Sequence, residues 1–180
     1  MKHIFYHLAA VMVVVVWGMT FISTKVLIVH GLSAQEIFLF RFLLAYAAVC
    51  PISFHRFFAR NLKDELYLVG GGVLGGSLFF FLQNIALGLT QASNVSFIIC
   101  MAPLLTAVLT VLSVRTEKVS RGFIYGSIIA LLGVGLLIFN GSFILRISPL
   151  GDLLTLLASL SWAFYSLVIR SLTRKYSPAF

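Results

Sequence analysis

Charge is scarce in this sequence, and acid is the scarcer sign. Only 10% of the 180 residues are charged, five acidic against thirteen basic. Soluble domains carry roughly 25% charged residues, so a water-exposed surface of ordinary composition is excluded. Cysteine is limited to Cys50 and Cys100, both inside apolar runs. With no metal or redox spacing between them, they read as small core residues. The four histidines (His3, His7, His30, His55) fall in loops or at the ends of apolar runs. There is no HExxH, no intramembrane aspartate pair and no P-loop. Hydrolytic enzymes and ATP-driven pumps are therefore disfavoured, and no cofactor or metal site is expected.

What is present is apolar: 61% of the residues are hydrophobic. Six runs approach or exceed the ~20 residues that cross a bilayer: Leu8–Val29, Ile37–Phe54, Leu66–Leu89, Val95–Val114, Gly122–Phe143 and Leu153–Ile169. Long apolar runs make helices, not a barrel, so the expected fold is an all-α polytopic transmembrane helical bundle. The connections are short and leave no place for a soluble domain.

The net charge of +8 would suggest nucleic acid in a soluble protein. Here the positive-inside rule accounts for it. Lys2, Arg56, Arg60, Lys63, Arg115, Lys118, Arg121, Arg170, Arg174 and Lys175 fall on the N-terminal side, and only Arg146 falls opposite. Both termini are expected in the cytoplasm, with no nucleic-acid partner. The first run resembles a signal peptide, but it ends in Trp17-Gly18-Met19-Thr20 without a small-x-small cleavage site. An uncleaved first span is the better reading.

Within the first span, Trp17, Thr20, Phe21 and Thr24 share one helical face, with Lys25 at its rim. The Trp-small-apolar-base pattern returns at Trp162, Ala163 and Arg170, with the base eight positions after the Trp in both copies. Five spans separate the copies, so they run in opposite directions, and each Trp falls near mid-bilayer. This pattern fits an inverted repeat, whose substrate sites lie at mid-depth; core packing is the plainer alternative. Pro103 should kink or loosen the fourth span. Gly71/Gly75, Gly72/Gly76 and the Gly122-Gly126-Ala130-Gly133 face allow close helix approach. Lys25, Glu36, Arg41, Gln83, Asn84, Asn94 and Ser96 gather in the outer half. They read as a polar vestibule open to the outside, or as hydrogen-bonding glue between helices. Lys25 would snorkel, pair with Glu36 or orient an anionic group. The inner half offers little beyond Thr106 and Thr110.

These residues resemble the drug/metabolite transporter superfamily, specifically EamA-type permeases. The resemblance rests on Trp17-Gly18-Met19-Thr20-Phe21 with Lys25, on Arg41-Phe42, and on Ala86-Leu87 followed by Thr90-Gln91-Ala92-Ser93 and Pro103. It continues in Glu117-Lys118-Val119-Ser120, Gly126, Gly133-Val134, Gly151-Asp152 and Trp162-Ala163-Phe164-Tyr165-Ser166. It implies ten helices in two inverted five-helix repeats. Residues 1–144 would be the first repeat and 145–180 the start of the second, so a fragment of a longer protein is expected. The sixth helix would then lack its repeat partners.

The implied function is secondary transport of a small metabolite (amino acid, drug or related solute) across the bacterial inner membrane by alternating access. Protons would be the coupling ion. The candidate substrate pathway is Trp17, Thr20, Thr24, Lys25, Arg41, Gln83, Asn84, Pro103 and Trp162. A non-transporting scaffold or assembly partner, an inactive truncated transporter and a lipid- or ion-conducting channel are the alternatives. Substrate and oligomeric state are not legible.

Overall fold

The computed structural model describes residues 2–53, 61–113, 120–139, 148–173 and 175–176. Arg56, Arg60, Arg115, Glu117, Lys118, Val119, Arg146 and Arg174 lie outside the described residues, as does the side chain of Lys2. The described residues form helices α1 (Lys2–Val29), α2 (Ala34–Ser53), α3 (Leu62–Gly71), α4 (Phe79–Leu89), α5 (Ala92–Ile99), α6 (Ala102–Ser113), α7 (Arg121–Phe139) and α8 (Pro149–Leu172). A π-helical segment, Gly72–Leu78, joins α3 to α4 without a break.

Five helical stretches among these residues are long and apolar enough to cross a membrane: Ile4–Val29, Ala34–Pro51, Leu62–Leu89, Ala92–Ser113 and Pro149–Leu172. The sixth expected span falls on α7, whose Arg121–Gly133 portion is apolar but shorter. The chain is an all-α, multi-pass membrane protein. Val13, Leu44, Leu112 and Leu136 point outward with more than half their surface exposed. In water, leaving such side chains exposed would forfeit roughly 25 cal/mol per Å² of apolar area; against lipid tails no such loss arises.

Local sequence fixes the turns. α1 ends in a Schellman motif: Gly31 N donates to Ile28 O and Leu32 N to Leu27 O, both at 3.1 Å. Gly31 takes φ +98° there, a conformation that L side chains rarely adopt. Ser33 and Glu36 then form a capping box at the start of α2. The Ser33 N–H donates to Glu36 Oε2 at 2.8 Å, and the Glu36 N–H donates to Ser33 Oγ at 3.2 Å. Glu36 is therefore a cap for α2 and not the Lys25 partner considered from sequence.

The fourth span is broken, as Pro103 foretold. α5 stops at Ile99, Cys100 and Met101 turn, and Pro103 sits in the first turn of α6, where its missing N–H is tolerated. At the break Ser159 Oγ reaches the Ile98 carbonyl at 3.3 Å.

α8 is the central helix, packed against α3, the π segment, α4, α5 and α6. Its buried residues are mainly small: Gly151, Thr155, Ala158, Ser159, Ser161 and Ala163. Small faces let helix backbones approach where lipid provides no hydrophobic drive. Helices of the preceding spans surround it among the described residues. It runs antiparallel to the α3–π–α4 span, with Gly71 against Ile169, Gly75 against Tyr165 and Phe79 against Trp162. Both ends are clasped. Lys175 Nζ and the Tyr176 hydroxyl each donate to the Asp64 carboxylate at 2.9 Å. At the far end the Thr90 hydroxyl donates to Asp152 Oδ1 at 3.3 Å.

Candidate functional site

α1 places its mixed face inward. Phe21 and Thr24 are buried, while Met19 and Ile22 on the opposite face are exposed. At the midpoint of this face the Trp17 ring meets the Trp162 ring of α8, with centroids 5.3 Å apart and planes inclined by 47°. Trp162 also contacts Phe79 at 4.8 Å and Tyr165 at 5.1 Å. These separations lie within the 4.5–7 Å range of favourable ring pairs.

Three cavities adjoin this aromatic cluster. The largest, about 660 Å³, is lined by Pro103, Thr106, Thr110, Ser120, Trp162, Ser166 and Arg170 among others. It extends from Trp162 toward the C-terminal ends of α6 and α8, the end of the bundle that carries both chain termini. A second, about 320 Å³, is almost wholly apolar and lies between Trp17, Phe21, Phe79, Cys100, Pro103 and Trp162. The third, about 520 Å³, has a glycine floor of Gly71, Gly72, Gly75 and Gly76 beneath Trp17, Phe80, Trp162 and Tyr165. Trp162 lines all three, and Trp17 lines two. Among the described residues, none that lines them is acidic.

The glycine floor lies where α3 passes into the π segment. There Phe79 N bonds to Leu74 O, the longer ring of a π turn, a distortion frequent at functional sites. Gly75 is needed for the approach itself, since a Cβ there would lie 2.5 Å from the Tyr165 ring.

Three hydroxyls of the largest cavity, on its helical walls, donate to carbonyls of their own helices. Thr106 donates to Ala102 O at 2.9 Å, Thr110 to Thr106 O at 2.7 Å and Ser166 to Trp162 O at 2.8 Å. Their remaining lone pairs can only accept. A solute group meeting those oxygens would have to bring its own donors, while the Arg170 guanidinium can only donate.

The other expected pathway residues are engaged elsewhere. Thr20 Oγ1 donates to Trp17 O at 2.6 Å. Arg41 Nη2 donates to buried Thr24 at 2.8 Å, and its guanidinium carbon lies 5.4 Å from the Phe80 ring centroid, a cation–π geometry. Lys25 Nζ donates to Leu87 O at 2.6 Å and Thr90 O at 2.9 Å. A cation here meets the negative end of the α4 dipole and satisfies terminal carbonyls. Gln83 and Asn84 are fully buried. The outer polar group is thus a packed, closed end and not the open vestibule expected from sequence. Lys25 and Asn84 reach backbone carbonyls and Arg41 reaches Thr24, while the large cavity lies at the opposite end.

Sequence reasoning missed Phe79 and Tyr165 and passed over Thr106, Thr110, Ser166 and Arg170. A signal for the last group was available: Trp162, Ser166 and Arg170 fall at successive fourth positions on one face of α8, as Thr106 and Thr110 do on α6.

Comparison with known proteins accords with this architecture. Residues 4–139 match the EamA-like transporter family. Over 175 residues the chain is 27% identical to a Bacillus subtilis (strain 168) protein described as an uncharacterized transporter, YcxC, covering 94% of this chain. It spans about half of that relative's length, 55%. No solved structure matches. By the match over residues 4–139, the chain belongs to the EamA-like transporter family.

Proposed function

We propose that this chain forms the first repeat and the opening helix of the second in a secondary transporter. The transporter moves a small metabolite across the bacterial inner membrane by alternating access, with both termini cytoplasmic. One observation carries the reading: the Trp17 and Trp162 rings meet at mid-span, and Trp162 lines all three cavities. Mid-depth at the junction of two repeats is where such carriers hold their substrates. The arrangement here suits a state open toward the terminal end and closed at the Lys25 end. Proton exchange, which the family resemblance implies, finds no carboxylate among the described lining residues of these cavities.

The test is uptake and efflux of labelled metabolites in cells expressing the full-length gene. Trp17→Ala and Trp162→Ala variants that still insert are expected to lose at least about tenfold of the flux, the equivalent of roughly 1.4 kcal/mol of stabilisation. Unchanged flux in both would remove the site. The assembly-partner reading retains one of its two glycine faces. Gly71 and Gly75 are covered by α8, whereas Gly122, Gly126 and Gly133 on α7 have nothing within 4 Å.

A further inference from the structure

Gln83 lies in α4 with no exposed surface, and neither its Nε2 nor its Oε1 has a hydrogen-bond partner; Asn84 Oδ1 beside it is also unpartnered. Asn84 Nδ2 reaches only the Ala34 carbonyl, at 3.5 Å. Buried polar side chains nearly always have partners, and each exception calls for a reason.

Three sources of a partner can be weighed. A solute or a further segment of protein cannot reach Gln83 in this arrangement, because the chain's own atoms enclose it completely. Neither Gln83 nor Asn84 lines any of the three cavities, so a water at the amide would need a further void with several polar neighbours. Separation of α4 from the helices covering it supplies a partner without such a void.

The register identifies the surface that must part. Pairing of Gly75 with Tyr165, Phe79 with Trp162 and Thr90 with Asp152 puts Gln83 level with Ala158 of α8. That stretch of α8 is small and buried, and its hydroxyls are turned onto backbone carbonyls. Thr155 donates to Gly151 O at 2.8 Å, and Ser159 to Thr155 O at 3.0 Å. A smooth face opposite an unpaired amide holds the closed interface only loosely.

We propose that α4 and α8 separate at the Lys25 end, and that the unpaired Gln83 amide keeps this closed interface easy to open. The inference deepens the transport reading by naming the surface that moves, and the amide is paired, by solute or water, once the surface opens.

The test uses the full-length protein in proteoliposomes, in a background where Cys50 and Cys100 are replaced. Thr155→Cys introduces a thiol at a position with no exposed surface, so a maleimide reaches it only when the interface opens. Gln83→Leu is expected to raise Tm by at least about 2 °C and to slow maleimide labelling at least about fivefold. Gln83→Met, of similar volume, should do the same. A fall in Tm or failure to fold in both variants would show that the amide has a partner, and equal or faster labelling would show that it does not ease opening; either result overturns the proposal. Because labelling needs no solute, it is separable from transport: slowed labelling with no flux from the unmodified protein would support the opening and remove the carrier reading instead.

Discussion

The indole of Trp17 meets the indole of Trp162 with centroids 5.3 Å apart and planes inclined by 47°, although the two residues lie far apart in the sequence. They are the chain's only tryptophans. Neighbouring indoles couple their near-ultraviolet transitions, so the protein should show a paired tryptophan signal in near-ultraviolet circular dichroism. Trp17→Phe and Trp162→Phe should each abolish the pair and leave a single weak band. A signal that is merely halved would show that the rings are not in contact.

Gly75→Ala should be the most disruptive of the glycine substitutions in the α3–π–α4 span. Its methyl would meet the Tyr165 ring at 2.5 Å, whereas at Gly72 nothing lies within 4 Å. Overpacking of this kind costs typically 1–3 kcal/mol. Thermal melting in detergent should show a clear loss for Gly75→Ala and little change for Gly72→Ala. Adding Tyr165→Leu should recover part of the loss.

Lys25→Met should loosen the closed end without altering the aromatic cluster. It removes the ammonium from Leu87 O and Thr90 O and leaves part-buried carbonyls unsatisfied. Hydrogen bonds to charged groups contribute about 1.5–3 kcal/mol, so the melting temperature should fall. Lys25→Arg should recover part of it by supplying donors from a longer side chain. A Lys25→Met protein as stable as the unmodified chain would contradict the capping role.

The clasp at the terminal end has a pH signature. Lys175 holds its proton above the ordinary lysine value of 10.5, chiefly through its hydrogen bond to Asp64 and then through that carboxylate's charge. A group whose folded value is raised lends stability below its ordinary value and loses it as pH climbs through the raised one. Melting followed into strongly alkaline buffer should therefore show a component of instability that Asp64→Asn and Lys175→Gln lack. Both variants should melt lower at neutral pH and converge with the unmodified protein at alkaline pH.

Much of the fold was legible because its signals are local. Runs of apolar residues and a mid-span proline mark spans and a break without reference to tertiary contacts. The break at Cys100–Met101 followed from Pro103, and the inward face of α1 followed from helical periodicity. The Ser33–Glu36 box is equally local.

The closed end was not legible, because it depends on what each polar group finds nearby. From sequence Lys25, Arg41, Gln83 and Asn84 were simply polar residues at similar depth. Only the packed structure shows Lys25 on a helix terminus, Arg41 on Thr24 and Gln83 with no partner. A polar side chain in a low-dielectric interior takes the partner that packing brings to it, and composition cannot specify that choice.

Sequence alone thus determined the membrane class, the approximate spans and the inward face of α1 that carries Trp17. These follow from hydropathy and periodicity, which depend on neighbours in the chain. Tertiary structure decided which end holds the largest of the three cavities, that α8 is the central helix among the described residues, and that Gly75 must be bare. Each of those depends on the distance between groups far apart in sequence, and close packing of small faces sets that distance.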